Sequence, residues 1–503
     1  MTDTRTRLLK GAVWIALGSM IANGIGFLNT IIMARLLVPE DFGLVAICAA
    51  VMAILLSLAE MPLSETLVRH DAPTEEHFNT VFSMSFARGL IVGGAVAALS
   101  YPVALLYGDM RLQNILLVMA GSFVFAGLAN PKLALFEREL VFHQVVLMKV
   151  GEKLFGTIVA ITLALVFRSY WALVLGAVAS DVARIVLSYV FYPFRPRLTF
   201  SKYREILSFS IWITLGTWIQ AMNWRANPLL FGAVLPTNIL GQYSFGNRIT
   251  NVVIAQLNQP LQRTFFPAFS RVKNDRQKLV SAYKRVQGVA CLWIFPFGFG
   301  LAVVAHDLVA LVLGEKWMPA VPVIQIQAII LALQATVAIQ PIAMATGDTR
   351  HLFFRDLRAF FIRWPLILLG MYLGSASYYG MLIGALIGGA VAVVINIIWN
   401  MTLVTQIAGI RLREQLQLAL TPAIAVAFMA LVVWLTGSMW EKPPSVPLEA
   451  VRLVSLITIG GTAYVAAVAA LWQFNGRKAG PELEMAQLLK ALFTKASKFR
   501  RTS

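Results

Sequence analysis

QYSFGNRITNVVIAQLNQPLQRTFF, from Gln242 to Phe266, is the stretch on which the fold turns. At about 1.5 Å rise per residue it is long enough to cross a bilayer as a helix. Yet it carries Ser244, Asn247, Arg248, Asn251, Asn258, Gln259 and Gln262. At about 100° per residue these project from about one third of the helix circumference, while Ile249, Val252, Val253, Leu257 and Phe265 fall largely elsewhere. Polar groups turned to lipid would each cost kcal/mol, so the stripe must face protein or a water-filled cavity.

The rest of the chain supplies the membrane context. Of 503 residues, 58% are hydrophobic and only 13% charged, with mean hydropathy +0.74. Soluble domains carry roughly 25% charged residues. The composition predicts an all-α polytopic membrane protein of fourteen spans. Cys48 and Cys291 both lie in apolar runs, which argues against a disulfide framework or a zinc site. The run Ala12 to Met33 follows Arg5, Arg7 and Lys10, and is longer than a signal-peptide core, so it reads as a retained first span. Net charge is +18. Nucleic acid is not needed to explain it. With the N-terminus cytoplasmic, only Arg35, Arg111, Arg168, Lys316, Lys442 and Arg452 of the 42 lysines and arginines fall on the far side. Arg88, Arg184, Arg225 and Arg248 lie within spans, and all others are cytoplasmic. That asymmetry places both termini in the cytoplasm.

An internal repeat organises the spans. WIALGSMI from Trp14 aligns with WITLGTWI from Trp212, and without a gap the alignment pairs Asn29 with Asn227, Gly43 with Gly241 and Pro62 with Pro260. Further on, ALLYGD from Ala104 matches ALVLGE from Ala310. An even number of spans separates the copies, so they are parallel repeats about an axis along the membrane normal, the arrangement in which a transporter's site lies between the halves. This gives a six-helix lobe over 1–198, a second over 199–408, two added spans over 409–476 and a tail over 477–503. The tail reads either as a basic amphipathic helix on the anionic inner leaflet or as a solvated end. By the repeat, the partner of Gln242–Phe266 is the second span, where Ala46, Ala49, Ala50, Ala53 and Ser57 lead to Glu60 at the position of Asn258. Ser19, Asn23, Gly26 and Thr30 form a small stripe on the first span, read either as close helix packing or as cavity lining.

Several stretches then resemble one family together: ARLLVPEDFGLVA (Ala34–Ala46), LALFERELVFHQ (Leu133–Gln144), FRPRLTFSKYREILSFS (Phe194–Ser210), LGQYSFGNRITNVV (Leu240–Val253), TFFPAFSRVKND (Thr264–Asp275) and LVLGEKWMPAVPVI (Leu311–Ile324). They resemble the bacterial polysaccharide transporters, oligosaccharide flippases of the multidrug/oligosaccharidyl-lipid/polysaccharide superfamily. The resemblance implies two six-helix lobes in a V with two extra C-terminal helices. It also implies transport of polyprenyl-diphosphate-linked oligosaccharide across the bacterial inner membrane, for exopolysaccharide, capsule or O-antigen, within reach of a polymerase or export complex. Many relatives carry an acid in the seventh span. Here stand Asn223, Arg225 and Asn227, so no coupling role transfers to them.

For such a cargo Arg248 can hold phosphate oxygens bidentately, and Ser244, Asn247, Asn251, Asn258 and Gln262 can exchange hydrogen bonds with sugar hydroxyls. Arg225 points away from Asn223 and Asn227. Either it pairs with an acid such as Glu60 or Asp181, or the amides pack between helices and Arg225 reaches the diphosphate. Arg184 forms an ion pair with Asp181 or faces the cavity; Arg88 snorkels to the interface or lines the cavity's entry. Arg35 pairs locally with Glu40 and Asp41. Glu60 and Asp181 are the candidates for ion coupling. No GxxxxGK[ST] loop, metal site or cofactor site occurs, so the expected protein is a transporter and not an enzyme. The alternatives are a cation-coupled multidrug exporter, a flippase of the peptidoglycan lipid precursor, and a membrane glycan polymerase or ligase. The last lacks the outer loops such enzymes display.

Overall fold

Hydrocarbon offers a backbone N–H or C=O no partner, so a chain this apolar satisfies them within helices. The computed structural model describes residues 2–58, 63, 67, 73–138, 142–203, 222–223, 225–272, 274–337, 339–346, 349–440, 445–474, 476 and 481–483. Among them there is no strand. The helices are α1 Thr2–Leu36, α2 Pro39–Leu58, α3 Glu75–Tyr107, α4 Arg111–Gly127, the short α5 Ala134–Arg138, α6 Phe142–Phe167, α7 Trp171–Phe191, α8 Asn227–Val234, α9 Thr237–Ser270, α10 Arg276–Leu308, α11 Val321–Gln334, α12 Ile339–Thr346, α13 Thr349–Leu373, α14 Tyr378–Ala408, α15 Leu412–Met439 and α16 Val446–Phe474. Ten segments among the described residues are long and apolar enough to cross a membrane, and α4 is a shorter apolar helix. This is a multi-pass membrane protein.

Local chemistry sets the helix ends. Thr74 opens α3 by donating its N–H to His77 Nδ1 at 3.2 Å, with Glu75 and Glu76 in the first turn against the helix dipole. Asp275 caps α10 by accepting from the Lys278 N–H at 3.1 Å. Gly108 closes α3 at φ 67, and Gly314 follows the π turn after α10 at φ 93. These two glycines are the pair that ALLYGD and ALVLGE align, and both sit where a side chain would be strained.

Two compact units emerge, Met1–Ser244 and Phe245–Ser503, with the boundary inside α9. In the first, α6 packs on α7 and on α1, and α3 on α4. The first turns of α2 and α9 meet through reciprocal glycines. A Cβ on Gly43 would lie 2.0 Å from the Thr237 carbonyl oxygen, and one on Gly241 would lie 1.7 Å from that of Pro39. Only hydrogen fits at either position. At the same end Glu40 accepts from Arg111 at 2.7 Å, and Asp109 accepts from the same guanidinium. Asp41 accepts from the backbone N–H groups of Val38 and Tyr170. Glu40 thus bonds the first residue of α4, a span away, and Asp41 bonds two backbone amides at helix ends.

The second unit is built on α10. Cys291, Ile294 and Phe295 pack with Ala332 of α11, Ala425, Val426 and Met429 of α15, and Tyr464 of α16. Trp317 is fully buried and lies 4.2 Å, centroid to centroid, from Phe245. The expected span over 320–344 is not one helix. It breaks between α11 and α12, and buried Gln287 of α10 donates its Nε2 to the freed Ala335 carbonyl at 2.8 Å. A break at membrane depth is tolerated where protein supplies the missing partner, and Gln287 does so. Arg452 of α16 is 9% exposed, donating to Asp307 Oδ1 at 3.2 Å and to the Gly437 carbonyl at 2.9 Å, which ties the last helix pair to α10. The amphipathic tail expected over 477–503 lies outside the described residues apart from 481–483.

Gly43→Val should destabilise the protein by about 1–3 kcal/mol, because the atom in the way is backbone and cannot rotate aside. Gly94→Ala, with nothing within 4 Å of its Cβ, should leave the melting temperature in detergent unchanged.

Candidate functional site

The α9 helix buries apolar residues on both sides, with Ile254 and Phe265 falling within about 20° of the helical angle of Asn247. Leu240, Tyr243, Phe245, Ile249, Ile254, Phe265 and Phe269 are buried. Arg248 and Asn251 are exposed and Asn247 is half-buried. Asn251 Nδ2 donates to the Asn247 carbonyl at 2.7 Å and to Asn247 Oδ1 at 2.9 Å, so the two amides form one i, i+4 unit along that face. The bond leaves Asn251 Oδ1 and Asn247 Nδ2 available to other groups. Ser244, one turn earlier, keeps a buried Oγ that makes no hydrogen bond. The side chains of Asn258 and Gln262, and the whole of Glu60, lie outside the described residues. Arg248 therefore stands with amide neighbours on a helix that also buries Gln242 and Thr250 and is not among the ten apolar segments. A planar guanidinium beside carboxamides can bind an oxyanion through paired N–H groups and exchange donors and acceptors with hydroxyls.

The other candidate residues are scattered. On α8 and the residues before it, Asn223 and Asn227 are buried while Arg225 is exposed. Asn227 donates its Nδ2 to Tyr243 Oη at 3.1 Å, and the Tyr243 ring meets Phe231 edge-on at 4.7 Å. Asn227 thus packs between α8 and α9 and Arg225 is exposed, while Glu60, one of the acids proposed to pair with Arg225, lies outside the described residues. Arg184 of α7 donates to Asp181 at 3.3 Å, the local ion pair that the i, i+3 spacing suggested. Arg88 is half-buried on α3. The small stripe on α1 lies against α6: a Cβ on Gly26 would meet Lys153 Cε at 3.0 Å, and Thr30 Oγ1 donates to the Gly26 carbonyl. On α2, Ala50 and Ser57 are buried and Ala49 is exposed.

One charged residue was passed over. Glu152 of α6 is half-buried and within electrostatic reach of Arg184, Asp181, Lys149 and Lys153. Asp181 and Arg184 thus belong to a wider cluster of both signs inside the first unit. Its position nearly three turns into an apolar helix was the available signal, since a carboxylate there needs a partner.

Comparison with known proteins places these features in a family context. Residues 32–322, more than half of the chain, match the family described as polysaccharide biosynthesis protein. The lipopolysaccharide biosynthesis protein WzxC of Escherichia coli (strain K12) is 25% identical over 403 residues, 78% of this chain and 80% of that protein. The succinoglycan biosynthesis transport protein ExoT of Rhizobium meliloti (strain 1021) is 23% identical over 459 residues, 90% of each. Among solved structures, the lipid II flippase MurJ in an inward closed conformation superposes with TM-score 0.73 at 12% identity, covering 92% of this chain and 99% of that one. An inward-facing multidrug resistance MATE family transporter of the MOP superfamily gives 0.60 at 14%, covering 79% and 99%. At such identities the two structures establish the fold alone.

Asn227→Ala should lower stability by about 1–3 kcal/mol, since it leaves the buried Tyr243 hydroxyl without its donor. Arg225→Gln, at an exposed position, should stay within about 0.5 kcal/mol of the parent. Thermal melts of the two purified variants in one detergent check the contrast.

Proposed function

The chain belongs to the polysaccharide biosynthesis protein family and is a membrane transporter, and on that premise we propose that it flips polyprenyl-diphosphate-linked oligosaccharide across the bacterial inner membrane by alternating access. The observation that carries the reading is Arg248, exposed on the polar face of α9 with Asn247 and Asn251 beside it. A glycan on a diphosphate asks for both of these chemistries at once. The guanidinium meets phosphate oxygens through parallel, charge-assisted N–H bonds. The amides trade water for sugar hydroxyls at little net cost, which favours passage over tight retention. Ser244, Asn258 and Gln262 extend the same face in our reading. Arg225, Arg88 and Arg184 are further cations the diphosphate could meet, with Arg184 already engaged by Asp181.

The repeat supports two six-helix lobes and a terminal pair among fourteen spans, with cytoplasmic termini; the shared positive φ of Gly108 and Gly314 is consistent with it. Glu60 and Asp181 are the proposed coupling carboxylates. A polymerase or export complex receiving the glycan is part of the proposal. A drug exporter of the same fold is the weaker reading, because a cation would be repelled by Arg248.

Deleting the gene should leave sugar assembly intact while lipid-linked oligosaccharide accumulates on the cytoplasmic face. Unaltered glycan export with lost drug resistance would reverse the assignment. Arg248→Ala should cut export about 10–100-fold at normal protein level, the loss of one charge-assisted hydrogen bond or two. Export at the parent rate would remove Arg248 from the site.

A further inference from the structure

The segment after α7 runs extended over the start of α3. Its anchor is Phe194, buried at 8% exposure among Phe78, Phe82 and Ala134, with its ring edge-on to Phe82 at 6.2 Å. Lys132 lies over the Phe78, Tyr192 and Phe194 rings at 5.2 to 5.9 Å and pairs with Glu75. Beyond that anchor three backbone N–H groups are taken up by polar side chains of α3. Arg197 N–H donates to Asn79 Oδ1 at 2.9 Å, Thr199 N–H to Ser83 Oγ at 2.8 Å, and Lys202 N–H to Thr80 Oγ1 at 3.4 Å. Asn79, Thr80 and Ser83 are all buried, and this use explains a polar patch on an otherwise apolar helix. With its backbone held, the strap turns its side chains outward. Arg195 and Arg197 are exposed, and so are Leu198 at 70% and Phe200 at 52%.

We propose that this strap, residues 193–203, is a docking surface for anionic lipid headgroups at the rim of the first unit. Within the strap the charge is of one sign, with no acid between Phe191 and Tyr203; of the two acids on the adjoining first turn of α3, Glu75 and Glu76, the first is paired with Lys132. Depth agrees, since the strap's backbone is held near the start of α3, by Asn79, Thr80 and Ser83, and the strap follows directly on the end of α7, where a spanning helix meets the headgroup layer. The composition also fits an interface better than water. Cations interleaved with Leu198 and Phe200 give phosphate contacts and shallow acyl contacts from one surface. Two prolines, Pro193 and Pro196, remove N–H groups that an extended segment would otherwise leave unbonded there.

The test uses full-length protein in nanodiscs, either of phosphatidylcholine alone or of phosphatidylcholine and phosphatidylglycerol in equal parts. A nitroxide is placed on Leu198→Cys or Phe200→Cys, native Cys48 and Cys291 being buried, with exposed Ser281→Cys as the aqueous reference. In the anionic nanodisc both strap positions should relax with oxygen more than with a polar nickel chelate, and this preference should fall in the zwitterionic one. Retention of phosphatidylglycerol through purification should drop about fivefold for each cation removed in Arg195→Gln and Arg197→Gln, both at exposed positions. A nickel-accessible profile equal to that of Ser281→Cys in both nanodiscs would overturn the proposal. Protection that arises only when cytosolic protein is added would overturn it too, assigning the strap to a protein partner.

Discussion

Inside hydrocarbon a polar group has no water to fall back on, and that single constraint orders most of what this chain does. Where the α11–α12 break frees the Ala335 carbonyl, Gln287 meets it. Where a carboxamide is buried on α8, the Tyr243 hydroxyl meets it. Arg452 reaches Asp307 and the Gly437 carbonyl, and a buried Gln415 donates to the carbonyls of Met401 and Ile410 where α14 ends and α15 begins. Each is a polar side chain spent on a structural need. Against that background the exposed Arg248, beside two amides that bond chiefly to each other, is the exception that calls for a ligand.

Close packing is the second consequence. Between lipid-solvated helices the drive to associate comes from van der Waals contact and not from expelled water, so small residues concentrate where helices cross. As also between Gly370 and Gly384, a backbone carbonyl enters the space of a methyl group at Gly43 and Gly241. The sequence repeat pairs these two positions, and the contact they make is reciprocal.

How much was readable beforehand follows from whether the partner was local. The polar face of α9 was legible because helical spacing alone brings Ser244, Asn247, Arg248 and Asn251 onto about one third of the circumference, with Ile249 about 100° from Arg248. The Asp181–Arg184 pair was legible for the same reason, one turn apart. The opposite directions of Arg225 and of Asn223 and Asn227 were legible too, but the Tyr243 hydroxyl that Asn227 meets was not, since it lies on the next helix. The Glu40–Arg111 bond was not legible, because Arg111 opens α4, a span away in sequence. The break at Ala335 has no strong signal of its own; Gln287, far off in sequence, makes it affordable. The strap on α3 was hidden because its bonds join backbone to buried Asn79, Thr80 and Ser83, and no side-chain pattern announces such a contact.

The central claim is the movement of a lipid-linked glycan, and reconstitution addresses it most directly. The purified protein would be placed in liposomes holding polyprenyl-diphosphate oligosaccharide in the inner leaflet, and the glycan exposed to an impermeant external glycosidase followed with time. The account predicts protein-dependent exposure of the inner-leaflet glycan at a rate well above that of empty liposomes. Glycan that stays protected in the presence of folded protein, with an imposed ion gradient in either direction, would contradict it.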